Sequence, residues 1–128
     1  MCIRDRFHAA GHDYMGAGWN WMGFDPPDAA TDCSGYKNLS FWAKVTGPKK
    51  PSQLSVALKA NDKSMTEADD LLQRCPNLLD GKWHELVVPI SDLDSKTALN
   101  KAKAWEVQFN TWSQEEIDFS LFLSLIHI

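Results

Sequence analysis

The sequence predicts an all-β domain, an antiparallel β-sandwich of the jelly-roll type, on three observations. Apolar residues alternate with polar ones over short runs. Gly, Pro, Asn and Asp cluster between those runs, and six tryptophans in 128 residues fall mostly inside them. Alternation with period two is the signature of a strand with one face in a core, and several such strands at short spacing indicate two sheets packed face to face. The helix content expected from this pattern is small.

The clearest element is the segment over residues 38–45. Between the Ser34-Gly35 turn and the Gly47-Pro48 break, Leu39, Phe41, Ala43 and Val45 alternate with Ser40, Trp42 and Lys44. Before it, residues 14–24 put Met15, Ala17, Trp19 and Trp21 on one side and Gly16, Gly18, Asn20 and Met22 on the other. Glycines inside a strand mark a bulge or the close approach of another group, and Pro26-Pro27 ends the run because proline cannot donate to a ladder. After the Pro48 to Pro51 turn, Leu54, Val56 and Leu58 face the core across Ser55, Ala57 and Lys59. Residues 68–72 make a weak strand, burdened by two aspartates, and Asp80-Gly81 is a turn signal. The apolar run at 83–89 is expected to be a strand covered on both faces. A helical turn fits the ten residues after Leu93. Trp105, Val107 and Phe109 then point inward against Glu106, Gln108, Asn110 and Trp112, and a last strand carries Ile117, Phe119 and Leu121 inward.

Composition bounds the function. About 116 residues, from Phe7 to Phe122, suffice for a single core of ordinary size. The net charge of −4 argues against nucleic acid, whose phosphates require a clustered Lys/Arg surface. No window approaches the run of about 20 apolar residues that a membrane span needs. His8, His12 and His84 are scattered, without zinc-site spacing. Cys33 and Cys75 are candidates either for a disulfide in an oxidising compartment or for small buried hydrophobes.

The two ends are related through DNA. Residues 1–5 can be encoded by ATG TGT ATA AGA GAC followed by AG, and residues 123–128 by CTG TCT CTT ATA CAC ATC, whose reverse complement contains that same string. One short element read on opposite strands explains both termini, and it resembles a translated transposon-type sequencing adapter. The expectation is a single domain over residues 7–122, truncated at both ends, with residues 1–6 and 123–128 not native to it. Setting the ends aside removes Cys2, Arg4, Arg6 and Asp5, which takes the net charge from −4 to −5.

Three stretches resemble the galactose-binding-like jelly rolls, the group that holds carbohydrate-binding modules and the complex I intermediate-associated family. They are residues 32–45, ending Leu39-Ser40-Phe41-Trp42-Ala43-Lys44-Val45; residues 81–93, opening Gly81-Lys82-Trp83-His84-Glu85; and Phe119-Ser120-Leu121-Phe122. The resemblance implies a non-catalytic module that binds a polysaccharide or oligosaccharide, monomeric and tethered to other domains of an extracellular or periplasmic protein. It also implies a structural calcium, whose ligands cannot be named on this sequence. Its alternative is a protein-interaction or scaffolding domain of the complex I intermediate-associated type.

Sugar recognition needs flat aromatic faces for pyranose C–H groups and planar amides or carboxylates for ring hydroxyls. Trp112, Asn110 and Gln108 have that composition, with Trp112 the leading candidate; Trp42, Trp19 and Trp21 complete the expected ligand-binding set. Glu116-Ile117-Asp118 resembles the opening of a jelly-roll glucanase motif. Ser120 and Leu121 stand where its second glutamate would fall, so the pair of carboxylates that glycoside hydrolysis requires is incomplete and no enzyme is expected.

Overall fold

The computed structural model describes residues 4–20, 31–66, 68–93 and 99–127, with the side chain of Trp105 excepted. The Pro26-Pro27 break, Trp21 and Met22, and residues 94–98 of the expected helical turn lie outside the described residues. Six strands are present among those described: β1 (Arg4–Asn20), β2 (Asn38–Lys49), β3 (Ser55–Ala60), β4 (Asp69–Asp70), β5 (His84–Pro89) and β6 (Ala104–His127). Single helical turns occur at α1 (Leu71–Arg74) and α2 (Ile90–Leu93), with 3₁₀ turns at Leu78–Asp80 and Lys101–Lys103. No helix among the described residues is long and apolar enough to cross a membrane.

The fold is organised by the antiparallel ribbon of β1 and β6, in register from Arg4↔Ser124 to Asn20↔Glu106. The first part of β6 also pairs with β3, from Ser55↔Asn110 to Ala60↔Ala104, and β4 flanks β3. Its last part pairs with β2, from Ser40↔His127 to Lys49↔Asp118, and β5 flanks β2. The ribbon therefore belongs to two leaves of one curled sheet. The first leaf is β4-β3-β6-β1 and the second is β5-β2-β6-β1.

The bend between the leaves has a local cause. The register shifts between Gly11, opposite Ile117, and Asp13, opposite Ser113, so β6 spends two more residues than β1 in turning the corner. Gly11 and Asp13 have φ of 116° and 78°. Glycine tolerates that region freely and aspartate better than most residues, and a bulge of this kind bends and twists a ribbon. The expected strands at 105–109 and 117–122 are thus one strand, β6, because pairing with β1 continues through the corner.

The two leaves close on the predicted core. Leu39, Phe41, Ala43 and Val45 from β2, Val56 and Leu58 from β3, and Val107, Phe109, Ile117, Phe119 and Leu121 from β6 are all buried. Phe41 of the second leaf meets Phe109 of the first edge-to-face, with ring centroids 5.2 Å apart, a favoured aromatic geometry. Cys33 is buried and Cys75 half-buried, and they are not bonded to each other.

Four expectations change. The weak strand at 68–72 is only Asp69 and Asp70, and the chain then turns helical. Asp70 caps that turn by accepting from the Leu72 N–H at 2.9 Å, while Asp69 holds Arg74 through two hydrogen bonds. β5 is covered on one face only: Leu86 and Val88 are buried, but Val87 is 46% exposed because it points to the outer side of the second leaf, away from the core between the leaves. The first strand starts at Arg4 rather than Tyr14. At the other end β6 continues past Phe122, with Leu123 in phase with Phe119 and Leu121 and buried like them, so the two terminal segments pair with each other.

Candidate functional site

On the outer side of the first leaf, alternation along β6 presents Glu106, Gln108, Asn110 and Trp112, and the register with β1 sets Asn20, Gly18, Gly16 and Tyr14 opposite them in that order. The two glycines create the site. A Cβ on Gly16 would come within 2.5 Å of Asn110 Oδ1, and one on Gly18 within 2.6 Å of Glu106 Cδ. The amide and the carboxylate therefore lie across bare backbone, where any side chain would displace them.

The polar groups are already ordered. The Tyr14 hydroxyl donates to Asn110 Oδ1 at 2.5 Å, and Gln108 Nε2 donates to Glu106 Oε1. At the end of the row both polar atoms of the Asn20 amide are buried with no hydrogen-bond partner among the described residues. Such a group costs about 1–3 kcal/mol unless something bonds to it. Tyr14, Gly16, Gly18, Gln108 and Asn110 line a hollow of about 180 Å³. Trp112, 47% exposed, borders a second one of about 390 Å³ with Lys50, Gln53, Gln114 and Glu116 at the bend. The two hollows together offer an indole face, a phenol and the amides of Gln108, Asn110, Gln53 and Gln114, a set suited to hydroxyl-rich ligands.

Of the six residues expected to bind ligand, the structure brings together Trp112, Asn110 and Gln108. Trp19 is turned to the other side of β1. It lies opposite Val107, packs edge-to-face on Phe109 at 5.5 Å, and donates from Nε1 to Asp5 Oδ2 at 2.6 Å, so it closes the margin of the core. Trp42 stands outward as expected, but on the second leaf, apart from Trp112. Trp21 lies outside the described residues.

Sequence reasoning missed Tyr14, Glu106 and Asn20. Alternation puts Asn20 on the Gly16 side and Glu106 on the Gln108 side; only the pairing of β1 with β6 joins the two rows.

The look-alike carboxylates are engaged elsewhere. Glu116 accepts from Lys49 Nζ at 2.6 Å, a bond that holds its carboxyl below the usual range and raises the Lys49 ammonium. Asp118 faces His8 at 3.4 Å. Among the described residues no group of three His, Cys, Asp or Glu side chains is placed to hold a metal ion.

No family model and no curated protein matches this sequence. Solved structures do match its fold. One is the family 11 carbohydrate-binding module from Clostridium thermocellum in complex with a β-1,3-1,4-mixed-linked tetrasaccharide, 13% identical over 97% of this chain and 83% of that one, with a TM-score of 0.55. Another is the family 11 module of a cellulosomal cellulase of the same organism, 11% identical over 98% of this chain and 83% of that one, with a TM-score of 0.56. The antiparallel, two-leaved architecture of this chain is therefore that of the carbohydrate-binding-module jelly rolls.

Proposed function

We propose that this chain is a non-catalytic carbohydrate-binding module, and that its site is the outer face of the first leaf. The observation that carries the reading is the band of Trp112, Tyr14, Asn110, Gln108 and Glu106 laid over the two glycines of β1. Trp112 supplies the flat apolar face for a pyranose ring, and the amides of Asn110 and Gln108 bond its hydroxyls, with Glu106 holding Gln108 from below. The likeness of fold to modules whose names include a mixed-linked oligosaccharide and a cellulase makes neutral β-glucans the first ligands to try.

Other parts of the proposal rest on the sequence. The domain is residues 7–122, with adapter-derived ends, and the module works outside the cytoplasm as one part of a larger glycan-active protein.

Affinity electrophoresis through gels containing mixed-linked β-glucan, and then other neutral polysaccharides, tests the reading. Retardation by one of them is expected. Trp112→Ala should reduce affinity for that glycan by about tenfold or more with the circular dichroism spectrum unchanged. A folded protein retarded by no glycan would overturn the proposal in favour of the protein-interaction alternative.

A further inference from the structure

Where β2 begins and β5 ends, paired through Asn38↔Pro89, three segments meet around a hollow of about 380 Å³. Tyr36, Lys37 and Asn38 line it from the loop ahead of β2, Pro89 and Ser91 from the junction of β5 with α2, and Lys101 from the last 3₁₀ turn. All of these residues lie within residues 7–122. The volume falls in the range of about 300–1,000 Å³ typical of pockets for small ligands.

Main-chain bonds fix the three segments to one another. The Cys33 N–H donates to the Lys101 carbonyl at 2.8 Å, the Ile90 N–H to the Lys37 carbonyl at 2.8 Å, and the Tyr36 N–H closes its own turn on the Cys33 carbonyl at 3.0 Å. Cys33, which takes part in two of these bonds, is fully buried. The walls are therefore set before any ligand arrives, and little ordering cost remains for binding.

The lining selects a ligand class. Tyr36, 52% exposed, presents a phenol ring, Asn38 and Ser91 add an amide and a hydroxyl, and Lys37 and Lys101 add two ammonium groups. Among the described residues no carboxylate lines the hollow. The two described carboxylates of the same segments are bonded elsewhere, Asp32 by Ser34 and Asp92 by Arg74. This local excess of positive charge runs against the net charge of the chain, −4 in all and −5 over residues 7–122.

We infer that this hollow is a second binding site, for a sugar unit that carries a carboxylate, as in a uronic-acid glycan. The Tyr36 ring receives the C–H face of the sugar, Asn38 and Ser91 its hydroxyls, and Lys37 with Lys101 its carboxylate. A neutral sugar would leave both ammonium groups without a counterpart. A nucleic acid would demand a longer basic track than two lysines supply. The site is separate from the first leaf, since none of the Trp112 row lines it.

The test is calorimetric titration of the full chain with trigalacturonic acid, alongside the neutral galactose trisaccharide of the same linkage. Trigalacturonic acid should bind at low salt and lose affinity as ionic strength approaches about 0.5 M, where exposed charges are screened. Tyr36→Ala should weaken binding about tenfold. Lys37→Gln should weaken it about fivefold, the scale of an exposed ion pair. Both side chains are exposed, so each loss can be read at an unchanged melting temperature. Trp112→Ala should leave affinity unchanged, as should replacing Arg4 and Arg6 together by glutamine. No binding at low salt would overturn the inference. So would equal affinity for the neutral trisaccharide or for a glutamate-rich peptide, and so would equal binding by the wild type and Tyr36→Ala. None of these results bears on neutral-glycan binding by the first leaf, which affinity electrophoresis reads separately.

Discussion

On the first leaf the outward side of β6 carries Glu106, Gln108, Asn110 and Trp112; further along the same strand, on the second leaf, it carries Phe122 and Ser124 beside Trp42 and Lys44 of β2. The inward residues keep one phase through the corner, from Phe109 to Ile117, Phe119 and Leu121, so a single alternation feeds both outer faces. The faces differ in how their groups are fixed. The first depends on missing side chains, since Gly16 and Gly18 leave room for Asn110 and Glu106 to lie flat and be held by directional hydrogen bonds. The second depends on added bulk, with Lys44 set against Trp83 and Phe122. One strand thus builds a polar, amide-lined surface and an aromatic, cationic one, and the partner strand decides which.

The change that should damage both faces together is Phe109→Ala. Phe109 contacts Phe41 of the second leaf and Trp19 of β1, and its truncation should cost about 3–5 kcal/mol, a large part of the stability of a domain this size. Chemical denaturation would measure it. Glycan binding by the first leaf should fall in proportion to the unfolded fraction. An unchanged denaturation midpoint would mean that the leaves are not coupled through this ring.

Gly16→Ala separates the faces. Its Cβ would push the Asn110 amide and the Tyr14 hydroxyl apart, and both are ends of side chains that can swing away. Neutral-glycan affinity should therefore drop several-fold, while the unfolding free energy changes by about 0.5 kcal/mol or less, as is typical of tolerated surface sites. Calorimetric titration with the neutral glycan checks this, and an unaltered affinity would mean that the glycines serve the backbone and not the site.

The smallest effect is expected in acid, at the loop behind β3. Asp62 accepts from the Ser64 side chain and backbone and from Asn100, which holds its carboxyl at about 2, below the unfolded value. A depressed carboxyl contributes stability that is present above about pH 4 and lost as pH falls towards the folded value. Between about pH 5 and pH 2 the melting temperature of wild type should therefore fall more than that of Asp62→Asn. Parallel curves would show that the loop bonds do not contribute to the folded state.

The Asx bond at Asp62 and the single-turn helix at Leu71 also show where local reading stops. The two aspartates at 69 and 70 signalled only a poor strand. What they do instead depends on Arg74 and on the Leu72 N–H, partners that become available only once the chain has turned. Val87 is similar: an apolar run does not reveal whether both faces of its strand are covered, since that depends on what packs over the sheet.

The sequence by itself determined the β class, the inward residues of β2, β3 and β6, and the shared side of Gln108, Asn110 and Trp112, because each follows from period-two geometry within one strand. It also placed Met15, Ala17 and Trp19 together, but with glycines as their alternates there was little hydrophobic contrast to say which side faced the core. The tertiary structure decided that Trp19 turns inward onto Phe109, that Tyr14, Asn20 and Glu106 join the Trp112 row, and that Trp42 belongs to the opposite leaf. Those facts are set by cross-strand register and by the bulge between Gly11 and Asp13. Register joins residues some ninety positions apart, and no local period encodes that relation.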